Sequence, residues 1–374
     1  MPITRRRSRW LYAVVGIVLM LGTQAQAHAD PASPAAPASP PARDRMQVAD
    51  EPCAVAVRQL PNPEMPAQPI FVYEPTGAAE APLTGGRCES AARPAVVIAH
   101  GFSASDPGAY LGLIQHLVRA GNVVLYPTYP LGTTVQQFED SYRRFDAGVV
   151  AALATTRADT SRIGFWGHSF GGGMVPYLAQ QAGARGWGSR GLWISMVAQA
   201  YSQLVGTGQV EVPANTRAMT IAFDQDNAAD ARLGIDIFRS LTVPADQKWH
   251  ITVRADAHGQ PALASDHTTP ASFGPAGEDT YDFLLYRYAD QLEGCAIGRI
   301  GCDLDLSTVG DWSDGTPIAP ALVGADPVDV GPAPALVADC DGGIAGGPPI
   351  ATVGEQPLLG GINPRWQNCG PTHR

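Results

Sequence analysis

Apolar and polar positions follow two alternating periods through the middle of the chain. Short apolar runs at residues 69–73, 95–99, 122–126, 163–166, 191–198, 217–223 and 249–253 have the length and composition of strands. The run Ala95-Val96-Val97-Ile98-Ala99 is apolar at every position, as a strand covered on both faces must be. Between these runs the apolar positions recur every three or four residues, which predicts helices over 110–120, 135–157, 228–241 and 279–292, and one more beginning at Met174. In 135–157 the repeat is carried by Phe138, Tyr142, Phe145, Val149 and Leu153, and this aromatic stripe reads as core. Strand and helix patterns alternate from about 69 to 293. The fold class they predict is α/β, a mostly parallel, doubly wound sheet flanked by helices, in one domain spanning 51–293.

The two ends break the pattern. Residues 1–29 carry Arg5, Arg6, Arg7 and Arg9, an apolar stretch from Trp10 to Gly22 and Ala-x-Ala steps at 25–29, the parts of a signal peptide removed on export to the periplasm or the extracellular space. Cleavage lowers the basic count from 25 to 21 against 35 acidic residues and the formal charge from −10 to −14. So acidic a chain is a poor partner for nucleic acid or an anionic membrane surface, and no other stretch is long and apolar enough to span a membrane. Residues 30–50 are Pro/Ala-rich and read as an extended linker.

From 294 to 374 Gly, Pro, Ala and Asp dominate without period, an irregular C-terminal extension. Asp303, Asp305, Asp311 and Asp314 lack the spacing of an EF-hand loop, so a solvated acidic segment is expected there and no calcium site. Cys53, Cys88, Cys295, Cys302, Cys340 and Cys369 all follow the leader. An even number in an exported chain points to disulfides, simplest as the local pairs 53–88, 295–302 and 340–369; the absence of a Cys-x-x-Cys pair argues against a metal.

The chemistry concentrates at one turn. The apolar run 163–166 meets Gly167-His168-Ser169-Phe170-Gly171, followed by Gly172-Gly173 and a helix-forming run. A Gly-x-Ser-x-Gly between strand and helix is a nucleophile elbow: the serine stands on a sharp turn with its hydroxyl clear of the backbone. The glycines flank it because a Cβ would strike the adjoining elements, and the following helix aims its N-terminus at the site.

With Val96-Val97-Ile98-Ala99-His100-Gly101-Phe102 and the elbow, the stretch from about 69 to 293 resembles the α/β-hydrolase superfamily. Within it, Asp159-Thr160-Ser161-Arg162-Ile163-Gly164 and Gly101-Phe102-Ser103-Ala104 are similar to secreted esterases of the dienelactone-hydrolase and cutinase or polyester-hydrolase type. The Gly-His-Ser-Phe-Gly-Gly elbow is shared with platelet-activating-factor acetylhydrolases. The resemblance implies a catalytic domain with a triad in the order Ser, acid, His. Ser169 is the nucleophile. The acid follows the run 217–223, where Asp226 matches the family position and Asp224 is the alternative, the other being a turn or capping aspartate. Asp230 suits the positive end of the next helix.

The histidine follows the run 249–253: His258 is preferred and His267 is the alternative. His100 and His168 read as scaffolding of the turns, and His116 and His250 as ordinary surface or helix histidines. The backbone N–H groups of Phe102 and Phe170 fill the role of oxyanion hole by the same resemblance. Only a loop's length, 199–216, separates the strand at 191–198 from the one carrying the acid, so no large cap domain is expected.

The function this implies is a secreted serine hydrolase cleaving small or polymeric carboxylic esters through an acyl-enzyme, with no cofactor and no metal. The alternatives are a phospholipid-acyl or amide hydrolase on the same triad, and a non-catalytic exported binding module of the same fold. Acyl chain length and oligomeric state are left open.

Overall fold

The computed structural model describes residues 36–41, 53–76, 92–130, 132, 134–271 and 280–324, with 352–353, 356–357 and 365. Apart from residue 36, these belong to a single unit, Pro37–Arg374. Residues 1–29, expected as a signal peptide, and most of the expected linker 30–50 lie outside the described residues, as do Cys88, Cys340 and Cys369.

Nine strands form one mixed, mostly parallel sheet: β1 (Ala54–Pro61), β2 (Pro69–Thr76), β3 (Arg93–Ala99), β4 (Val123–Pro127), β5 (Ala158–His168), β6 (Gly191–Val197), β7 (Thr216–Phe223), β8 (Lys248–Val253) and β9 (Leu322–Gly324), in the order β1-β2-β4-β3-β5-β6-β7-β8-β9. From β4 to β8 all neighbours are parallel. The pairs β1–β2, β2–β4 and β8–β9 are antiparallel. Five helices flank it: α1 (Leu111–Arg119), α2 (Val135–Leu153), α3 (Phe170–Ala184), α4 (Ala231–Ser240) and α5 (Thr280–Ala296).

Each central strand feeds both faces. Along β3, Ala95, Val97 and Ala99 join a core with side chains of α2, α3 and α4. Val96 and Ile98 join a second core with side chains of α1 and α5. This two-sided burial makes β3, β4 and β6 buried at every position, and it is why they stand out in the sequence as continuous apolar runs.

Local chemistry sets the ends of the helices. Thr134 and Gln137 close a capping box at the start of α2, each side chain bonding the other's backbone at 3.2 Å. The expected helix to 157 stops at Leu153 because Thr155 and Thr156 turn their hydroxyls back onto the carbonyls of Ala152 and Leu153. The helix expected from 228 begins at Ala231 instead, since Asp230 is its N-cap and accepts from the Arg232 N–H at 3.0 Å.

Three expectations need correction. The folded core does not end near 293. After α5 the chain is closed by the disulfide Cys295–Cys302, then lays Leu306, Val309, Trp312 and Ile318 into the second core, and β9 pairs on the edge of β8. The presumed linker is docked over residues 37–41: Ala38 O accepts from Gln260 N at 2.7 Å, and Ser39 exchanges bonds of 2.8 Å with Ser313. Of the two histidines read as surface or helix residues, His116 is in helix α1 and His250 is in neither place. The first is buried, stacked on Tyr286 and bonded to Asp290 at 2.8 Å; the second is buried in β8. β1, a strand no sequence pattern announced, pairs along the whole length of β2.

Trp312 is 1% exposed, and a Cβ on Gly259 would lie 2.1 Å from its ring, so extension and domain are packed to contact. Trp312→Ala is expected to cost about 3–5 kcal/mol, the usual loss for a buried tryptophan. It would be read as a lower denaturant midpoint at unchanged slope. A loss under about 1 kcal/mol would mean that the extension is not part of the core.

Candidate active site

Ser169 sits where β5 passes into α3, with φ 55° and ψ −119°. A non-glycine residue at positive φ is strained by about 1–3 kcal/mol and persists only when its surroundings hold it. Here the main chain does so from three sides: Ser169 N–H donates to Val197 O at 2.9 Å, and its carbonyl accepts from Gly173 and Ala200 at 3.1 and 3.0 Å. The glycines are required by contact. A Cβ on Gly171 would lie 2.0 Å from Ala99 O, and one on Gly167 2.3 Å from Gly171 O. Closing those gaps would pull α3 off the ends of β3 and β5, and the turn would open.

Two further side chains converge on the Ser169 hydroxyl. His267 Nε2 lies 2.8 Å from Ser169 Oγ, and His267 Nδ1 lies 2.8 Å from Asp226 Oδ2. The other oxygen of Asp226 accepts the N–H groups of Ala228 and Ala229 at 2.8 and 2.9 Å, which fixes the buried carboxylate in one orientation. Asp224 stands apart. It is exposed and accepts from Ala255 N at 3.0 Å, a turn aspartate tying the ends of β7 and β8 together.

The structure therefore corrects the choice of histidine. His258 is exposed, its Nε2 2.8 Å from Asp314 Oδ2, and it is not within reach of Ser169. The reason lies in the path of the chain after β8. Residues 256–263 make an excursion closed by two backbone bonds between Asp256 and Leu263, at 2.9 and 2.8 Å, and His258 is on its outer turn beside the extension. The chain then returns past β8, where Ser265 Oγ donates to Val253 O and Ser265 O accepts from Gln225 N, both at 2.8 Å. Two residues later it presents His267 to Ser169.

The hydroxyl faces a cleft of about 300 Å³. Its walls carry Phe102, Phe138, Phe170 and Tyr201 with several alanines and, among the described residues, no Asp, Glu, Lys or Arg. Phe170 is the hub, its ring 5.1 Å from Phe138, 6.4 Å from Phe102 and 6.5 Å from Tyr201, edge-on or tilted as aromatic rings prefer. The backbone N–H of Phe102, in the turn after β3, and that of Phe170, first in α3, have no hydrogen-bond partner among the described residues.

The histidines beside the site are neutral. Burial lowers His100 to about 4 and His168 to about 3, the latter also through the neighbouring His267. His100 is stacked between Tyr126 and Tyr129 and bonds Gly101 O through Nδ1 at 2.7 Å, so the scaffolding expected of it is what the structure shows. Residues 198–215, between β6 and β7, contain no helix, so no cap domain is inserted there. Among the described residues no three His, Cys, Asp or Glu side chains converge as a metal ion would need. Cys53 is disulfide-bonded.

No protein-family model matches the chain, and no curated protein matches it either.

Proposed function

We propose that the protein is an exported serine hydrolase with an α/β-hydrolase fold that cleaves uncharged carboxylic esters. The observation that carries the reading is the continuous relay Ser169–His267–Asp226, mounted on a strained strand-to-helix turn and opening into an apolar cleft.

Ser169 Oγ attacks the acyl carbon as its proton passes to His267 Nε2. The tetrahedral oxyanion is held by the N–H groups of Phe102 and Phe170, the second aided by the N-terminal end of α3. Collapse breaks the bond to the alkoxide, which leaves with the proton from His267. Water then repeats the sequence on the acyl-enzyme and releases the acid and Ser169. Asp226 keeps Nδ1 protonated and Nε2 free to act as base. Export rests on the basic-apolar leader and is supported by the disulfide Cys295–Cys302, a bond suited to an oxidising compartment. An uncharged aromatic cleft without a cap favours neutral acyl groups, including bulky ones, over acids carrying a second charge.

The experiment is covalent. An alkyl fluorophosphonate should add once, at Ser169, as found by peptide mass, and hydrolysis of p-nitrophenyl esters should disappear in step with labelling. An acyl series from acetate upward then maps the cleft. Absence of labelling with absence of turnover on every ester would overturn the reading.

A further inference from the structure

Beside the Ser169–His267 pair, on the lining of the same cleft, runs a second hydrogen-bonded chain that the reaction as written does not use. Gly101 N–H donates to Tyr110 Oη at 3.0 Å; Tyr110 Oη is 2.7 Å from His168 Nδ1; and His168 Nε2 is 2.8 Å from the carbonyl oxygen of His267. Tyr110 and His168 are both buried. The direction of every bond follows from chemistry. A carbonyl only accepts, so His168 must carry its proton on Nε2. Its Nδ1 is then a bare acceptor, and Tyr110 must donate to it while accepting from Gly101. For the neutral imidazole that burial favours, one arrangement of protons satisfies all three bonds.

The two ends of this chain are the two loops on which catalysis depends. Gly101 precedes Phe102, whose N–H is assigned to the oxyanion. The carbonyl of His267 belongs to the assigned base, and His168 is its one hydrogen-bond partner among the described residues.

We propose that Tyr110 and His168 are positioning residues that hold the backbone of His267 in register with Ser169 and, through Gly101, hold the oxyanion turn against the same support. The proposal rests on the reading of Ser169 and His267 as nucleophile and base. Neither residue exchanges a proton with substrate. Their part is to keep the imidazole at the distance and angle where proton transfer is fast, an alignment whose loss by an ångström is enough to slow a reaction about 100-fold.

The test is kinetic and spectroscopic, on wild type, Ser169→Ala, Tyr110→Phe, His168→Leu, His168→Gln and the double variant Tyr110→Phe/His168→Leu. Tyr110→Phe keeps the ring and its packing, so it remains informative even where His168→Leu folds poorly. With p-nitrophenyl butyrate, Tyr110→Phe and His168→Leu should lower kcat about 10- to 100-fold with KM within about two-fold. The double variant should be no slower than the worse single by more than about two-fold, because links in series fail together. His168→Gln, whose amide can both donate to His267 O and accept from Tyr110, should recover most of the loss. Imidazole ¹⁵N shifts of the wild type should give His168 as the neutral Nε2–H form at pH 7.

Wild-type kcat in Tyr110→Phe, losses that multiply in the double variant, an effect on KM alone, or a His168 protonated at Nδ1 would each overturn the positioning role. In that event the hydrolase reading stands so long as turnover still depends on Ser169. A wild type inert on esters, or a Ser169→Ala that still turns over, overturns both.

Discussion

His267→Ala should lower kcat for ester hydrolysis by roughly 10⁴- to 10⁶-fold, and His258→Ala should leave it within about two-fold. The contrast follows from where the two imidazoles are. One bridges Ser169 Oγ and Asp226 at 2.8 Å on each side; the other is exposed on an outer turn against Asp314. Without a base the serine hydroxyl must give its proton to water, and nearly all of the covalent route is lost. What survives is the contribution of the oxyanion donors and of binding.

Ser169→Ala should fall to the same floor, and Ser169→Ala combined with His267→Ala no further, since the residues act as one unit. Asp226→Asn separates two roles of the carboxylate. An asparagine oxygen can still accept from Ala228 and Ala229, so the loop keeps its shape. Its amide, however, presents a donor to His267 Nδ1 and drives the imidazole into the tautomer that cannot take the proton, which should cost about 10⁴-fold. Substantial activity in His267→Ala, with loss in His258→Ala, would mean that the excursion 256–263 rearranges to bring His258 to the serine.

That one residue marks the line between what the chain shows locally and what it does not. The elbow is legible because strand, turn and helix are consecutive and each glycine answers to a contact within its own motif or with the adjacent strand. The carboxylate that meets His267 is legible because β7 ends three residues before Asp226. The histidine is decided by pairing between Asp256 and Leu263 and by how far the chain travels before it turns back, and nothing in the composition of either His-containing segment records that.

The extension escapes notice for a related reason. Leu306, Val309, Trp312 and Ile318 pack as single anchors in a segment that is neither helix nor strand, set among glycine, proline and aspartate, so a search for helical or strand periods passes over them. Helix ends lie up to four residues from where the apolar period places them; at α2 and α4 the side chains of Thr155, Thr156 and Asp230 compete for the terminal peptide groups. The Tyr110–His168 chain spans 58 positions of sequence and has no local signature at all.

Acidification should weaken the fold from about pH 6.5 downward, before surface carboxylates begin to titrate, and unfold it between about pH 5 and pH 4. His100 and His250 are lowered by burial to about 4 and His168 to about 3. A histidine whose folded pKa is depressed favours the fold fully above its unfolded value of about 6.5. Below that the unfolded chain takes up a proton that the folded protein refuses, and stability falls until the folded pKa is reached. Each such group contributes a slope of about 1.4 kcal/mol per pH unit, so three give about 4 kcal/mol per unit between roughly pH 6 and pH 4.

Half that slope would still remove about 4 kcal/mol over those two units, much of the stability of an ordinary domain. Glu293 and Asp236, raised by burial, run in the opposite direction: the folded state takes up their protons first, which offsets part of the loss. Asp159, Asp256 and Asp314, lowered by their hydrogen bonds, add to it only at still lower pH. Denaturant unfolding at half-unit steps from pH 7 to pH 4.5 measures the slope. His250→Gln, distant from Ser169, should reduce it by about one third while leaving ester turnover at pH 7 intact. A stability that stays level from pH 6.5 to pH 4.5 would show that these three histidines are free to protonate in the folded protein. The neutral form of His168, on which the chain to His267 depends, would then have no energetic basis.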